Sequence, residues 1–64
     1  MKIKDLKIGE YFTIKPIEYP TEKQVYIRGE YDRADKKYSC GKFDDISYSR
    51  MFNGDKEVYT DFIF

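Results

Sequence analysis

The sequence predicts an all-β fold, a single small five-stranded barrel or rolled antiparallel sheet that spans residues 1–64. Three observations lead to this prediction. Apolar and polar residues alternate with a period of two in several short runs, which is the pattern of half-buried strands. Turn-forming residues separate these runs at close spacing. No window of ten or more residues keeps the 3.6-residue period of an amphipathic helix.

The first strand is predicted at residues 11–15, YFTIK, where Phe12 and Ile14 share one face. Residues 1–9 have apolar side chains at irregular spacing and predict a lead-in turn. Pro16 ends the first strand because proline cannot donate a hydrogen bond to a strand ladder. A polar surface loop is expected to follow.

The run VYIRGEYDRADKKYSC at the centre of the chain predicts a β-hairpin with a polar turn. Its first strand alternates, so its residues divide between the two faces of the sheet. The packed face is predicted to hold Val25, Ile27, Gly29 and Tyr31. The wet face, rich in tyrosine and charge, is predicted to hold Tyr26, Arg28 and Glu30.

The turn of this hairpin predicts its register. A turn centred on residues 34–35 pairs Tyr31 with Tyr38 and Gly29 with Cys40. Cys40 is the single cysteine, so it forms no intramolecular disulfide, and it is predicted to be a buried structural thiol. A reactive thiolate needs a neighbouring base or cation, and the chain has no histidine.

A bulge is predicted at Gly41-Lys42. An unbroken ladder would place the charged Lys42 on the packed face opposite Ile27, whereas one extra residue brings Phe43 there instead. A glycine inside a strand pattern often marks such a bulge. We therefore expect the ladder between the two hairpin strands to be interrupted at this point.

The last third of the chain predicts further extended segments around a tight turn. Residues 46–52 fit either a strand or a short helical turn that places Ile46 and Phe52 in the core. Asn53-Gly54 is the strongest short-range turn signal in the chain. Residues 57–64 alternate to the end, and pairing them with the first strand would close the sheet and remove its exposed edges. The two faces of this segment are predicted as Val58, Thr60, Phe62 and Phe64 against Tyr59, Asp61 and Ile63.

A series of motifs covers nearly the whole chain: L-x-x-G-E-x-F (Leu6 to Phe12), V-Y-I-R-G-E-Y-D-R (Val25 to Arg33), K-Y-S-C (Lys37 to Cys40), F-D-D (Phe43 to Asp45) and G-D-K-E-V-Y-T-D-F-I-F (Gly54 to Phe64). This order is similar to that of short hypothetical proteins of gut bacteria and their mobile elements. The order of strands also resembles that of SH3-like small barrels. The resemblance implies a cytoplasmic bacterial setting, and it carries over no catalytic or binding role.

Composition argues against several functions. Twelve basic and twelve acidic residues give a net charge of zero, whereas nucleic-acid-binding domains are usually basic. A zinc site needs four nitrogen or sulfur ligands, or three and a water, which a chain with one cysteine and no histidine does not supply. So short a domain rarely encloses the pocket that acid–base catalysis requires. We expect no enzyme activity, no metal and no cofactor.

The sequence also bears on location. Charged residues follow Met1, so the start of the chain does not read as a signal peptide. No stretch approaches the roughly 20 apolar residues of a membrane-spanning helix. A cytoplasmic protein without a membrane partner is expected.

Outward-facing aromatic and cationic residues are the candidate binding surface. Tyrosine and arginine are enriched at protein–protein hot spots, and a neutral chain is no obstacle to a protein partner. We therefore expect an interaction module, subunit or inhibitor, as a monomer or a homodimer. The candidate residues, with Tyr26 and Arg28 at their centre, are Tyr11, Tyr26, Arg28 and Tyr59.

Two alternatives remain open for the same residues. They could stack the bases of a single-stranded nucleic acid, although Glu30 and Asp61 on the same faces would repel phosphates. They could equally be purely structural cross-strand pairs, with Arg28 lying along a tyrosine ring and pairing with Asp44.

Overall fold

The structure is a computed structural model that describes residues 1–45 and 47–64. Its strands are β1 (Tyr11–Phe12), β2 (Tyr26–Asp32), β3 (Lys37–Lys42) and β4 (Asp45–Asn53). They form a four-stranded antiparallel sheet in the order β1-β2-β3-β4, so each strand pairs with the next one in sequence. Short 3-10 helices occupy Ile3–Asp5 and Glu22–Gln24. The all-β prediction is confirmed as an open sheet.

The segment after β4 lies beside β1 without extending the sheet as a regular fifth strand. Thr13 and Tyr59 exchange both backbone hydrogen bonds, at 2.9 and 3.0 Å, in an isolated bridge. Lys2 and Glu57 form a second isolated bridge. The expected contact between the last segment and the first strand is therefore present, but it does not close the sheet into a barrel.

One face of the sheet carries the hydrophobic core, and we call it the inner face. The Phe12 and Tyr26 rings stack on it, and Phe52 meets both edge-on at centroid distances of 6.0 and 5.7 Å. Residues from the segments before β1 and after β4 complete the core. The buried cluster consists of Ile3, Leu6, Phe12, Tyr26, Cys40, Phe52 and Val58.

The turns of the meander follow the predictions closely. The Asp32 carboxylate accepts hydrogen bonds from the Ala34 and Asp35 amides, at 2.9 and 3.3 Å, and this stabilises the β2–β3 turn. At the end of β4, the Asn53 side-chain oxygen accepts a hydrogen bond from the Asp55 amide at 3.0 Å, which confirms the predicted Asn-Gly turn. Both turns use a side-chain oxygen to satisfy backbone donors that the strands leave unpaired.

Residues 46–52 lie within β4, so the strand alternative is correct. Phe52 is buried in the core, as expected. The predicted position of the Ile46 side chain falls outside the described residues.

The register of the hairpin differs from the prediction beyond its turn. Tyr31 lies opposite Tyr38, as predicted. Cys40, however, lies opposite Arg28 rather than Gly29, because the register shifts within β2, between Arg28 and Tyr31. The close backbone approach at this shift requires glycine, since a Cβ at Gly29 would lie 2.2 Å from the Ser39 carbonyl oxygen.

The predicted bulge at Gly41-Lys42 is wrong for the β2–β3 ladder. That ladder runs through Gly41 opposite Ile27 and Lys42 opposite Tyr26 without an extra residue. Lys42 therefore lies on the inner face after all. It can do so because its ammonium group lies 5.7 Å from the centre of the Tyr26 ring and 5.1 Å from that of Tyr48.

The predicted faces of β2 are consequently exchanged up to Arg28, before the register shift. Tyr26 is 7% exposed and belongs to the core, and Arg28 is half-buried on the same face. Tyr31, predicted to be packed, is 46% exposed. The alternation was ambiguous because Val25 and Tyr26 are both buried, so the chain entering β2 is covered on both sides.

Candidate functional site

The four candidate residues do not share a surface. Tyr11 is exposed on the face opposite the core, which we call the outer face. Tyr26 is buried in the core and Arg28 lies beside it on the inner face. Tyr59 lies next to β1 and lines a cleft. The structure thus separates the residues that the sequence suggested as one platform.

The outer face carries three exposed aromatic rings in mutual contact. Tyr11, Phe43 and Phe64 are 43%, 38% and 50% exposed. Each pair of rings meets edge to face, with centroids 5.7 Å apart for Tyr11–Phe43, 6.0 Å for Tyr11–Phe64 and 4.8 Å for Phe43–Phe64. We call these three residues the outer aromatic patch.

Three separate parts of the chain position this patch. Tyr11 comes from β1, where it lies opposite Ile27. Phe43 follows β3, and its amide donates to the Val25 carbonyl at 3.0 Å. The final residues are held by the Ile63 amide, which donates to the Glu18 carbonyl at 2.9 Å. The patch therefore exists only in the folded chain.

A cleft of about 490 Å³ lies beside this region. Tyr59 lines it, together with the apolar side chains of Ile17, Phe62 and Ile63 and the carboxylates of Glu18 and Asp61. Its formal charge is negative because its wall contains two acidic side chains, Glu18 and Asp61, and no basic one. Tyr59 and Ile63, predicted on one face of the last segment, thus both line this cleft, away from the other candidate residues.

The inner face carries cations that lie over aromatic rings. The guanidinium carbon of Arg28 is 4.4 Å from the centre of the Tyr38 ring, which confirms the predicted arginine–tyrosine contact. The Lys42 ammonium is 5.1 Å from the Tyr48 ring centre. On the next strand, the guanidinium carbon of Arg50 is 4.9 Å from the buried Phe52 ring.

These residues extend across neighbouring strands. Cys40 of β3 lies between two arginines, because it pairs with Arg28 of β2 on one side and with Arg50 of β4 on the other. Tyr31 joins the same surface through its ring contact with Tyr38, at 4.9 Å between centroids. We call the accessible members of this surface the inner cation–aromatic row: Arg28, Tyr31, Tyr38, Lys42, Tyr48 and Arg50.

Arg28 has an unusual hydrogen-bonding environment. Its Nε atom is buried and has no hydrogen-bond partner among the described residues. Among the described residues, one ion pair joins the N-terminal ammonium to Glu57, and two others join Lys2 and Lys4 to Asp55. These ion pairs do not include the predicted one between Arg28 and Asp44. Arg28 therefore has no carboxylate partner among the described residues.

Cys40 lies at the centre of the inner face and is 1% exposed, which confirms that it is buried. Its Sγ donates a weak hydrogen bond to the Tyr38 carbonyl at 3.9 Å. Burial raises the pKa of this thiol, although the backbone of Gly29 and the charge of Arg28 act in the opposite direction. The thiol is therefore protonated at neutral pH.

Sequence reasoning missed Phe43 and Phe64 of the patch and most of the inner row. Phe43 was predicted on the packed face, Phe64 was grouped on one face with Val58 and Phe62, and the inner row follows from a register that the sequence did not predict. The alternation of Tyr48, Arg50 and Phe52 within β4 is the one sequence feature that places a cation between rings on one face.

Comparisons with known proteins find no match, either among protein families, among curated proteins or among solved structures. Among the described residues, no three His, Cys, Asp or Glu side chains come together as a metal site. Within the same residues, no helix is both long and apolar enough to cross a membrane.

Proposed function

We propose that this chain is a non-enzymatic protein-interaction module that binds a protein partner through the outer aromatic patch. The observation that carries the proposal is the mutual contact of three exposed rings, Tyr11, Phe43 and Phe64. Aromatic side chains dominate interface hot spots because each can bury roughly 150–250 Å² when a partner covers it. Contiguous exposed apolar groups on a soluble domain typically mark such an interface.

The geometry of the patch favours a protein over a nucleic acid. Its rings contact one another edge to face, so they present edges as well as faces and form no parallel platform for successive bases. The neighbours of the patch in sequence are the exposed acids Glu10 and Asp44, which repel phosphates. An apolar protein surface with basic residues at its rim complements this arrangement.

The setting proposed for this interaction is the bacterial cytoplasm. The one cysteine of the chain is free and buried. A small extracellular domain usually depends on disulfides, which supports a reducing compartment. The proposal includes a role as a subunit or inhibitor of the partner, without chemistry of its own.

The test is a pull-down from lysate of the host, performed with nuclease and at about 200 mM salt to suppress contacts through phosphates. The bait is compared with Phe43→Ser, which interrupts the patch, and with Tyr19→Ser as the matched control. Tyr19 is 67% exposed and makes no aromatic contact among the described residues. We expect a defined protein that wild type and Tyr19→Ser retain and Phe43→Ser loses.

The captured protein is then purified and titrated against each variant. Equal affinity for Phe43→Ser and wild type would contradict the proposal. Urea unfolding of each bait gives the structural control. If Phe43→Ser unfolds at a far lower urea concentration than Tyr19→Ser, the rings have a structural role, and Tyr11→Ser then provides the binding test at the opposite side of the patch.

A further inference from the structure

The inner cation–aromatic row has charges that the rest of the fold does not neutralise. Arg28, Lys42 and Arg50 form no ion pair within the described residues, where the paired cations all lie in the first four residues. Asp45 lies opposite Lys42 and offsets part of this charge. Although the whole chain is neutral, the row is therefore locally positive.

Flat aromatic surfaces accompany these cations. Tyr31 and Tyr38 lie side by side at the edge of a cleft of about 300 Å³. Lys4, Lys36 and Asn53 also line this cleft, together with Asp55, which Lys4 pairs at 3.1 Å. At the other end of the row, Tyr48 is half-buried beneath Lys42. Tyr31, at 46% exposure, is thus the most accessible ring of the row, while Tyr38 and Tyr48 are partly covered by Arg28 and Lys42.

Alternating cations and rings are the arrangement by which small β domains hold single strands. Bases stack on aromatic faces irrespective of sequence, and arginine and lysine contact the phosphates between them. An acidic peptide without aromatic residues would use the charges but offers no flat group to the exposed ring of Tyr31. The two components of the row together fit a polyanion that carries planar bases.

We propose that the inner cation–aromatic row binds single-stranded nucleic acid, on the face opposite the outer aromatic patch. Lys42 and Arg50 contact phosphates, and Tyr31 stacks a base at the cleft. Arg28 has a positioning role, since its guanidinium lies over the Tyr38 ring while its charge adds to the local field. The proposal uses no residue of the outer aromatic patch and does not depend on the proposed protein partner.

The test is fluorescence anisotropy with a labelled oligothymidine of about 15 nucleotides, which fits the site size of a small β domain. The charge variant is Lys42→Gln/Arg50→Gln, and its matched control is Lys7→Gln/Lys23→Gln, which removes the same charge from two exposed lysines outside the row. The stacking variant is Tyr31→Ala, with Tyr19→Ala as its control. Each protein is titrated between about 50 and 200 mM salt.

We expect saturable binding that the control variants retain. The charge variant should lower the slope of log affinity against log salt by about 1.4, which corresponds to two phosphate contacts. Tyr31→Ala should weaken binding by about fivefold or more. Phe43→Ser should bind the oligonucleotide as wild type does, so failure here is distinguishable from failure of the proposed function.

Three results would overturn the inference. The first is no saturable binding at the lowest salt. The second is an equal change in the charge variant and its control. The third is that polyglutamate displaces the labelled strand as efficiently as unlabelled oligothymidine does at equal total charge. The site would then recognise charge alone, and its occupant would be an acidic protein. If the double variant unfolds in urea controls, Arg50→Gln alone replaces it, with an expected slope change of about 0.7.

Discussion

The ring of Tyr26 lies nearly parallel to that of Phe12, with the centroids 5.6 Å apart and the planes at 18°. This stack joins β1 to β2 inside the core. A tyrosine in such a position contributes through buried area, so its removal leaves a cavity that a small domain tolerates poorly.

We expect Tyr26→Ala to lower the free energy of unfolding by about 3–5 kcal/mol, the range for removing a large buried aromatic side chain. Urea denaturation followed by far-UV circular dichroism measures this change. Tyr19→Ala is the control, because that side chain is largely exposed. Equal denaturation midpoints for the two variants would show that Tyr26 is not a core residue.

Gly29→Ala should be strongly destabilising, whereas Gly41→Ala should be nearly neutral. A Cβ at Gly29 would lie 2.2 Å from a backbone oxygen of β3, and the two strands would have to separate. At Gly41 the nearest atom is the Tyr48 carbonyl oxygen at 3.5 Å, an ordinary contact distance. We expect a loss of about 1–3 kcal/mol or more for Gly29→Ala. Similar stability of the two variants would contradict the close approach seen at the β2 register shift.

Arg28→Met should leave the stability unchanged or raise it. Methionine keeps an unbranched apolar stem over Tyr38. It also removes the buried Nε, and leaving such a donor without a partner costs about 1–3 kcal/mol. The lost cation–π contact is smaller, about 0.5–1 kcal/mol. Arg28→Ala, which removes the stem as well, should be less stable than wild type. Thermal and urea unfolding measure the order, and a methionine variant as unstable as the alanine variant would contradict it.

The buried thiol predicts a loss of stability at alkaline pH. Burial raises the pKa of Cys40 in the folded state, so its contribution to the free energy of unfolding is constant below the unfolded-state pKa. The contribution then falls as the pH rises through the folded-state pKa, because the unfolded chain forms the thiolate first. The slope is at most about 1.4 kcal/mol per pH unit. The free energy of unfolding is measured over the same pH range for Cys40→Ala, and the difference between the two proteins isolates the contribution of the thiol. Parallel pH curves for the two proteins would show that the thiol is not desolvated.

Local turn chemistry made part of the fold predictable. The Tyr31–Tyr38 pair and the turn at Asn53-Gly54 follow from residues within a few positions of each turn. Side-chain oxygens of aspartate and asparagine satisfy turn amides whatever the rest of the chain does. The all-β class follows from the same local patterns.

The sequence could not predict which residues of β2 lie on which face. An alternating pattern identifies the faces only where one side of a strand is buried and the other is exposed to water. Val25 and Tyr26 are both buried, so the pattern at the strand start fits either phase. The sequence predicted the irregularity of the hairpin at Gly41, whereas the β2–β3 ladder shifts beside Gly29 and the shift beside Gly41 lies in the β3–β4 ladder. One residue of error in register then exchanges the faces of the strand.

The candidate site was predictable only in part for a related reason. Tyr11 is exposed, as expected, but Phe64 joins it through the path of the final residues, which local patterns do not specify. Long-range placement also decides whether Lys42 lies on rings or in water. Patterns in sequence determine which residues share a strand better than which strands share a surface.

The meander order has a consequence for the kinetics of folding and opening. Strands β2, β3 and β4 pair with sequence neighbours, whereas the N-terminal ammonium meets Glu57 across a separation of 56 residues. Closing so long a loop costs more entropy than forming a hairpin, so the terminal segment joins last. In hydrogen exchange, the amides of β3 should open only with the whole molecule, and those of Ile3 and Val58 should exchange through an earlier, partial opening.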